Sequence, residues 1–167
     1  MDQWDALDTA RQLLMDETPL HRDCGALCDA ACCQPDPEGK GGMLLFPGEE
    51  RCYDPLPQGF EITEDPHGMG FLLTCKGTCE RAERPLACRF FPLFPYVRET
   101  VGGVALAVRM DRRACVVCPL VDAGVSGMKG TFAYAVRQAA KVLLNAKPHR
   151  DYLVKLTSFI EITYTLD

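Results

Sequence analysis

Apolar residues recur at helical spacing near both ends of the chain and in short extended runs between them. From Asp5 to Met15, Leu7, Ala10 and Leu14 return at three- and four-residue intervals, which predicts a helix, and Pro19 bars a longer one. Lys129 to Ala146 predicts a second helix, with Phe132, Val136, Ala139, Ala140 and Leu143 on one face. A third is expected to start near Asp151, a good N-cap, and to group Leu153, Leu156 and Ile160. Its last residues, Ile162 to Leu166, are β-branched enough to form a strand instead. In the middle, Met43–Phe46, Phe60–Thr63 and Phe71–Thr74 read as short strands. Pro47-Gly48, Pro57, Gly59 and Pro66 punctuate them. Tyr96–Thr100 and Val104–Met110 flank Gly102-Gly103 and predict a hairpin, while Gln34–Gly42 reads as a Pro/Gly-rich loop.

The fold class implied is α+β: a single small domain with an irregular, cysteine-rich β middle held by metal and helices at the N- and C-termini. A chain of 167 residues is expected to form one domain, 1–167, and its 47% apolar content suffices for a core. No internal repeat or long linker divides it. The first twenty residues lack a basic segment followed by an apolar run, and no stretch approaches the roughly eighteen apolar residues of a membrane span. A cytoplasmic location and no membrane partner are therefore expected. A net charge of −5 with no basic stripe argues against nucleic acid as a partner.

The ten cysteines change the picture most. Cys24, Cys28, Cys32 and Cys33 lie in CGALCDAACC, Cys75, Cys79 and Cys88 in CKGTC and the following ERPLACR, and Cys115 and Cys118 in CVVCP; Cys52 stands alone and reads as a buried thiol. In a reducing compartment such grouping points to metal or redox chemistry before disulfides. Thiolates are the soft ligands that zinc and iron–sulfur clusters prefer, and pairs two to four residues apart let one loop supply two ligands. On one straight helix Cys24 and Cys32 would sit about 12 Å apart along the axis. Sulfurs on one zinc can be only about 4 Å apart. Either the segment is not a continuous helix or its thiolates serve more than one centre. Adjacent Cys32 and Cys33 diverge in direction, which points the same way. Two nearby centres, or one multinuclear cluster, fit nine candidate ligands: Cys24, Cys28, Cys32, Cys33, Cys75, Cys79, Cys88, Cys115 and Cys118.

CGALCDAACC followed by CKGTCERAERPLACRFFPL resembles the cysteine-cluster proteins of the YkgJ type, described as zinc- or iron-chelating domains. The resemblance covers about residues 24–95. It implies that Cys24, Cys28, Cys32, Cys33, Cys79 and Cys88 chelate metal, with Arg84, Pro85, Arg89 and Pro92 as the accompanying motif. Ala82 occupies the region where the family usually carries a tyrosine, and the spacing is one residue shorter. The family's own likeness to a flagellin lysine methylase region is what an enzymatic, modification-type reading would draw on.

Zinc is the leading expectation, on the short knuckles. Iron or an iron–sulfur cluster is the alternative, favoured by the surplus of ligands and by Cys118-Pro119. An electron-transfer, enzymatic or metal-handling role stays open beside a structural one. Arg84 and Arg89 flank Cys88 and are candidate cofactor-binding residues that would offset a thiolate centre's negative charge; pairing with Glu80 and Glu83 is the alternative. His21, His67 and His149 read as isolated surface residues. Phe90, Phe91, Phe94 and Tyr96 read as packing around the metal site. No phosphate loop, no nucleophile elbow and no dinucleotide fingerprint is present.

Overall fold

In the computed structural model, which describes residues 1–35 and 41–165, Asp2 caps the first helix, α1 (Gln3–Leu13). Its Oδ1 accepts the Trp4 amide at 2.7 Å. The buried face of α1 is Ala6, Leu7 and Ala10, small enough at two positions to lie close against α3 (Gly130–Leu144). α3 answers with Phe132, Val136, Ala139, Ala140 and Leu143, the face its periodicity predicts. α4 (Lys147–Thr163) completes the helical layer with Leu153, Leu156 and Ile160, all at most 2% exposed. Each such side chain taken fully out of water contributes about 1.5–3 kcal/mol.

The predicted hairpin is β4 (Leu93–Thr100) with β5 (Gly103–Met110), antiparallel from Leu93 opposite Met110 to Thr100 opposite Gly103. Five consecutive residues of β4, Leu93 to Val97, are buried, because α3 and α4 pack on this strand. The Thr157 hydroxyl of α4 accepts the Val97 amide at 2.9 Å and fixes helix to strand. A second sheet has β3 (Phe71–Thr74) at its centre, between β1 (Met43–Leu44) and β2 (Glu61–Glu64), all antiparallel. Among the described residues four α-helices and these two sheets make the α+β architecture expected, with a short helix, α2 (Leu86–Phe90), between the sheets. No described helix is long and apolar enough to cross a membrane.

Two hydrophobic cores result. The larger joins α1, α3, α4 and β4. The smaller consists of Leu45, Tyr53, Phe60 and Leu73 and lies under the second sheet. Phe90, Phe94 and Tyr96 belong to the larger core, whereas Phe91 is only half-buried.

Three expectations are corrected. α4 starts at Lys147, with Pro148 in its first turn, where a missing amide costs nothing, so Asp151 lies inside the helix and is not its cap. The helix continues to Thr163, so Ile162 is helical; Leu166 lies outside the described residues, as do positions 36–40 of the expected loop. His149 is fully buried on α4, its Nε2–H donating to the Gln3 carbonyl at 2.8 Å. His21 and His67 are exposed.

Candidate metal centre

The cysteine segment is not one helix. Cys24–Leu27 and Ala31–Cys33 are separate 3₁₀ turns. Asp23 opens the first, its Oδ1 accepting the Gly25 amide at 3.1 Å. Asp29 and Ala30 then take the left-handed conformation, φ 51° and 52°, and turn the chain between them. Asp enters that region readily, whereas alanine pays about 1–2 kcal/mol. No residue from Cys24 to Cys33 is buried.

Opposite this segment, the loop after β3 carries Cys75 and Cys79 around Gly77 at φ 91°, a conformation glycine adopts without strain. A Cβ on Gly77 would stand 3.3 Å from the side-chain amide of Gln34, so the glycine also permits the two cysteine segments to approach. The next turn, Arg81–Glu83, is held by reciprocal Glu80 and Glu83 capping, with Glu83 accepting the Glu80 amide at 3.2 Å. α2 follows and presents Cys88.

The position of α2 is set by two buried charged residues. Glu49, fully buried, accepts the Leu86 amide at 2.7 Å and the Phe46 amide at 3.1 Å, and pairs with Arg11 of α1. Arg89, 5% exposed, donates to the carbonyls of Arg84 (2.9 Å), Ala82 (2.9 Å) and Arg11 (3.0 Å). Its guanidinium is thus committed to backbone and binds the cysteine loop to α1. The alternative pairing with Glu80 and Glu83 is not adopted either.

These segments enclose a cavity of about 720 Å³ lined by eight of the ten cysteines: Cys24, Cys28, Cys32, Cys33, Cys75, Cys79, Cys88 and Cys118. Sequence reasoning included Cys115 as well, but the 3₁₀ turn Arg112–Val116 leaves it exposed and off the cavity wall. Only Cys118 of the CVVC pair contributes. Cys52, expected buried, is exposed on the turn after Gly48. All ten thiols are free of disulfides. Arg81 escaped the sequence reading: it lines the cavity and ties it to the carbonyls of Met15 and Glu17.

The electrostatics are those of crowded thiols. Burial is the main cause holding Cys24, Cys79 and Cys88 above the ordinary thiol range, and neighbouring sulfurs add to it. Cys33 goes the other way, to about 6, because the Cys32 thiol donates to it and Arg84 stands nearby. The same hydrogen bond pushes Cys32 up. Arg84 also opposes the rise that burial gives the Cys79 thiol. A bound cation would invert this pattern, since metal coordination deprotonates a thiol outright.

The donor set fits a soft metal in number and chemistry. Among the described residues no three histidine, cysteine, aspartate or glutamate side chains already stand at metal-binding spacing, so ligation requires the thiolates to draw inward. No family model, curated protein or solved structure matches the chain.

Proposed function

We propose that this chain is a metal-binding protein that chelates zinc or iron through clustered cysteine thiolates. The observation that carries the reading is the convergence of eight thiols, from residues 24–33, 75–88 and 118, on one cavity. Inert core thiols have no reason to face a common space. Free cysteine is ordinarily a small buried hydrophobe dispersed through a core. The resemblance of residues 24–95 to YkgJ-type cysteine-cluster proteins supports the same reading. In it Arg84, beside Cys33 and Cys79, supplies the counter-charge, and Arg89 positions the loop. A thiolate-bound zinc supplies folding free energy to the segments it joins.

The surplus of thiols favours a second reading, an iron–sulfur cluster serving electron transfer or an enzymatic modification reaction, because eight cysteines line the cavity and one zinc takes four. The deciding experiment is elemental and sulfide analysis with a visible spectrum, on protein purified without oxygen. Zinc at one or two per chain and no visible band supports structural or transiently held zinc. Iron with sulfide and broad visible absorption supports the cluster. A chain that neither carries nor takes up metal overturns both.

A further inference from the structure

The hairpin leaves one strand edge without a partner. The Asp111 amide, which continues β5, donates to the Pro92 carbonyl at 2.8 Å. Amide direction alternates along a strand, so the amides of Gly103, Ala105, Ala107 and Arg109 also face β4. Those of Val104, Leu106 and Val108 face outward, and among the described residues no hydrogen bond reaches them. The far edge of β4 is treated differently: Pro95 has no amide to offer there, and Thr157 of α4 accepts the Val97 amide. Exposed edges are ordinarily blunted by lysine, proline, a bulge or a covering element. Residues 104–108, VALAV, carry no charge and no proline, and the eight consecutive pairs with β4 run without a bulge.

We infer that the outer edge of β5 pairs antiparallel with the same edge of a second copy of this chain, on a two-fold axis through Leu106. In that register Val104 stands opposite the partner's Val108, and Ala105 opposite the partner's Ala107. Each outward amide then meets an outward carbonyl, with three donors from each copy. Val104, Leu106 and Val108 already pack on the larger core and share one face of the strand. The other face meets through the small side chains of Ala105 and Ala107, so nothing bulky holds the strands apart. Charge selects the direction. Arg98 near the hairpin tip is paired with Glu161, and Asp111 at the other end with Arg113. The exposed charges left on the hairpin are Glu99 near the tip and Arg109 at the other end. Antiparallel pairing brings the Arg109 end of each copy to the Glu99 end of the other, whereas parallel pairing sets like charges side by side. The edge is thus complementary to itself in hydrogen bonds, side-chain size and charge, as a two-fold interface requires.

The test is sedimentation of the full-length wild-type chain over a range of concentrations, in reductant, with and without chelator. A reversible monomer–dimer equilibrium is expected in both conditions, and a weak one, because a junction of two strands is a small interface. Amide exchange followed by NMR should show Val104, Leu106 and Val108 protected at high concentration and released on dilution. Ala105 and Ala107 should be protected throughout. Ala105→Glu with Ala107→Glu sets like charges opposite each other across the axis, while position 105 then faces Arg98 with opposite charge within the hairpin. This variant should dimerise at least about tenfold more weakly. Ala105→Lys with Ala107→Lys should behave likewise, and mixing the two variants should restore a heterodimer, which unfolded chains do not form. A chain that stays monomeric to about 1 mM overturns the proposal, and an edge reserved for a strand of another protein gives that result. A dimer that depends on metal, that survives the acidic variant, or that leaves the three outward amides unprotected overturns it equally.

Discussion

Three donors converge on the carboxylate of Glu49: the amides of Leu86 and Phe46 and the guanidinium of Arg11. In Glu49→Gln one oxygen becomes an NH₂ group, which can only donate and therefore opposes one of these donors. The unsatisfied buried group costs about 1–3 kcal/mol, and weakening a charge-assisted bond from Arg11 costs about 1.5–3 more. The total of roughly 3–5 kcal/mol matches the cost of breaking a buried ion pair by altering one partner. Urea unfolding of the reduced, metal-free protein, followed by far-ultraviolet circular dichroism, measures it directly. With a slope of about 2–3 kcal/mol per molar, the midpoint should fall by about 1–2 M with the slope unchanged. Glu61→Gln, exposed on β2, should shift it by less than about 0.5 kcal/mol and serves as control. A loss at Glu49 below about 1 kcal/mol would refute the claim that this carboxylate joins α1 and the turn after β1 to α2, which carries Cys88.

Other predictions concern the histidine, the thiols and one glycine. Burial lowers the pKa of His149, so its contribution to stability is full above the unfolded value of about 6.5 and is lost as pH falls below it. Thermal melts of His149→Gln, which keeps a donor for the Gln3 carbonyl, should lack the part of the acid-side decline that wild type shows there. In metal-free protein, Cys32→Ala removes the donor to Cys33, and the pH midpoint of Cys33 alkylation should move from about 6 to above about 8. Gly48→Ala places a Cβ 1.9 Å from the Trp4 ring at φ 83°, and should cost about 2–4 kcal/mol and change the emission of the only tryptophan. Gly68→Ala, at φ 68° but in open space, should cost only about 1–2 kcal/mol.

Where local pattern decides structure, the sequence was informative. The stripe of α3, the hairpin and the run Phe71–Thr74 follow from period and turn residues, because each is built mainly from neighbours in the chain. Spacing arithmetic left two alternatives for Cys24–Cys33, a broken helix or more than one centre, and the two 3₁₀ turns answer the question of the backbone. The start of α4 was misread because both Pro148 and Asp151 occur near helix N-termini, and only packing selects between them. His149 carried a usable signal: with Leu153, Leu156 and Ile160 it continues the helical stripe by one more turn, yet its charged neighbours disguised it. Cys115 could not be separated from Cys118 by spacing, since the turn that sends it outward depends on Asp111 capping the Arg113 amide. Glu49 and Arg89 left no sequence trace of burial, because their partners lie in distant segments.

The absence of any buried residue between Cys24 and Cys33 bears on the life of the protein in the cell. The helices and sheets have cores of their own, to which this segment adds only the half-buried Cys24, so without metal little fastens the cysteine strap. On the metal-binding reading, loading is a finishing step on a folded body. Under metal scarcity the unfastened strap is where a protease would cut first, and the abundance of intact chain would then follow the supply of metal.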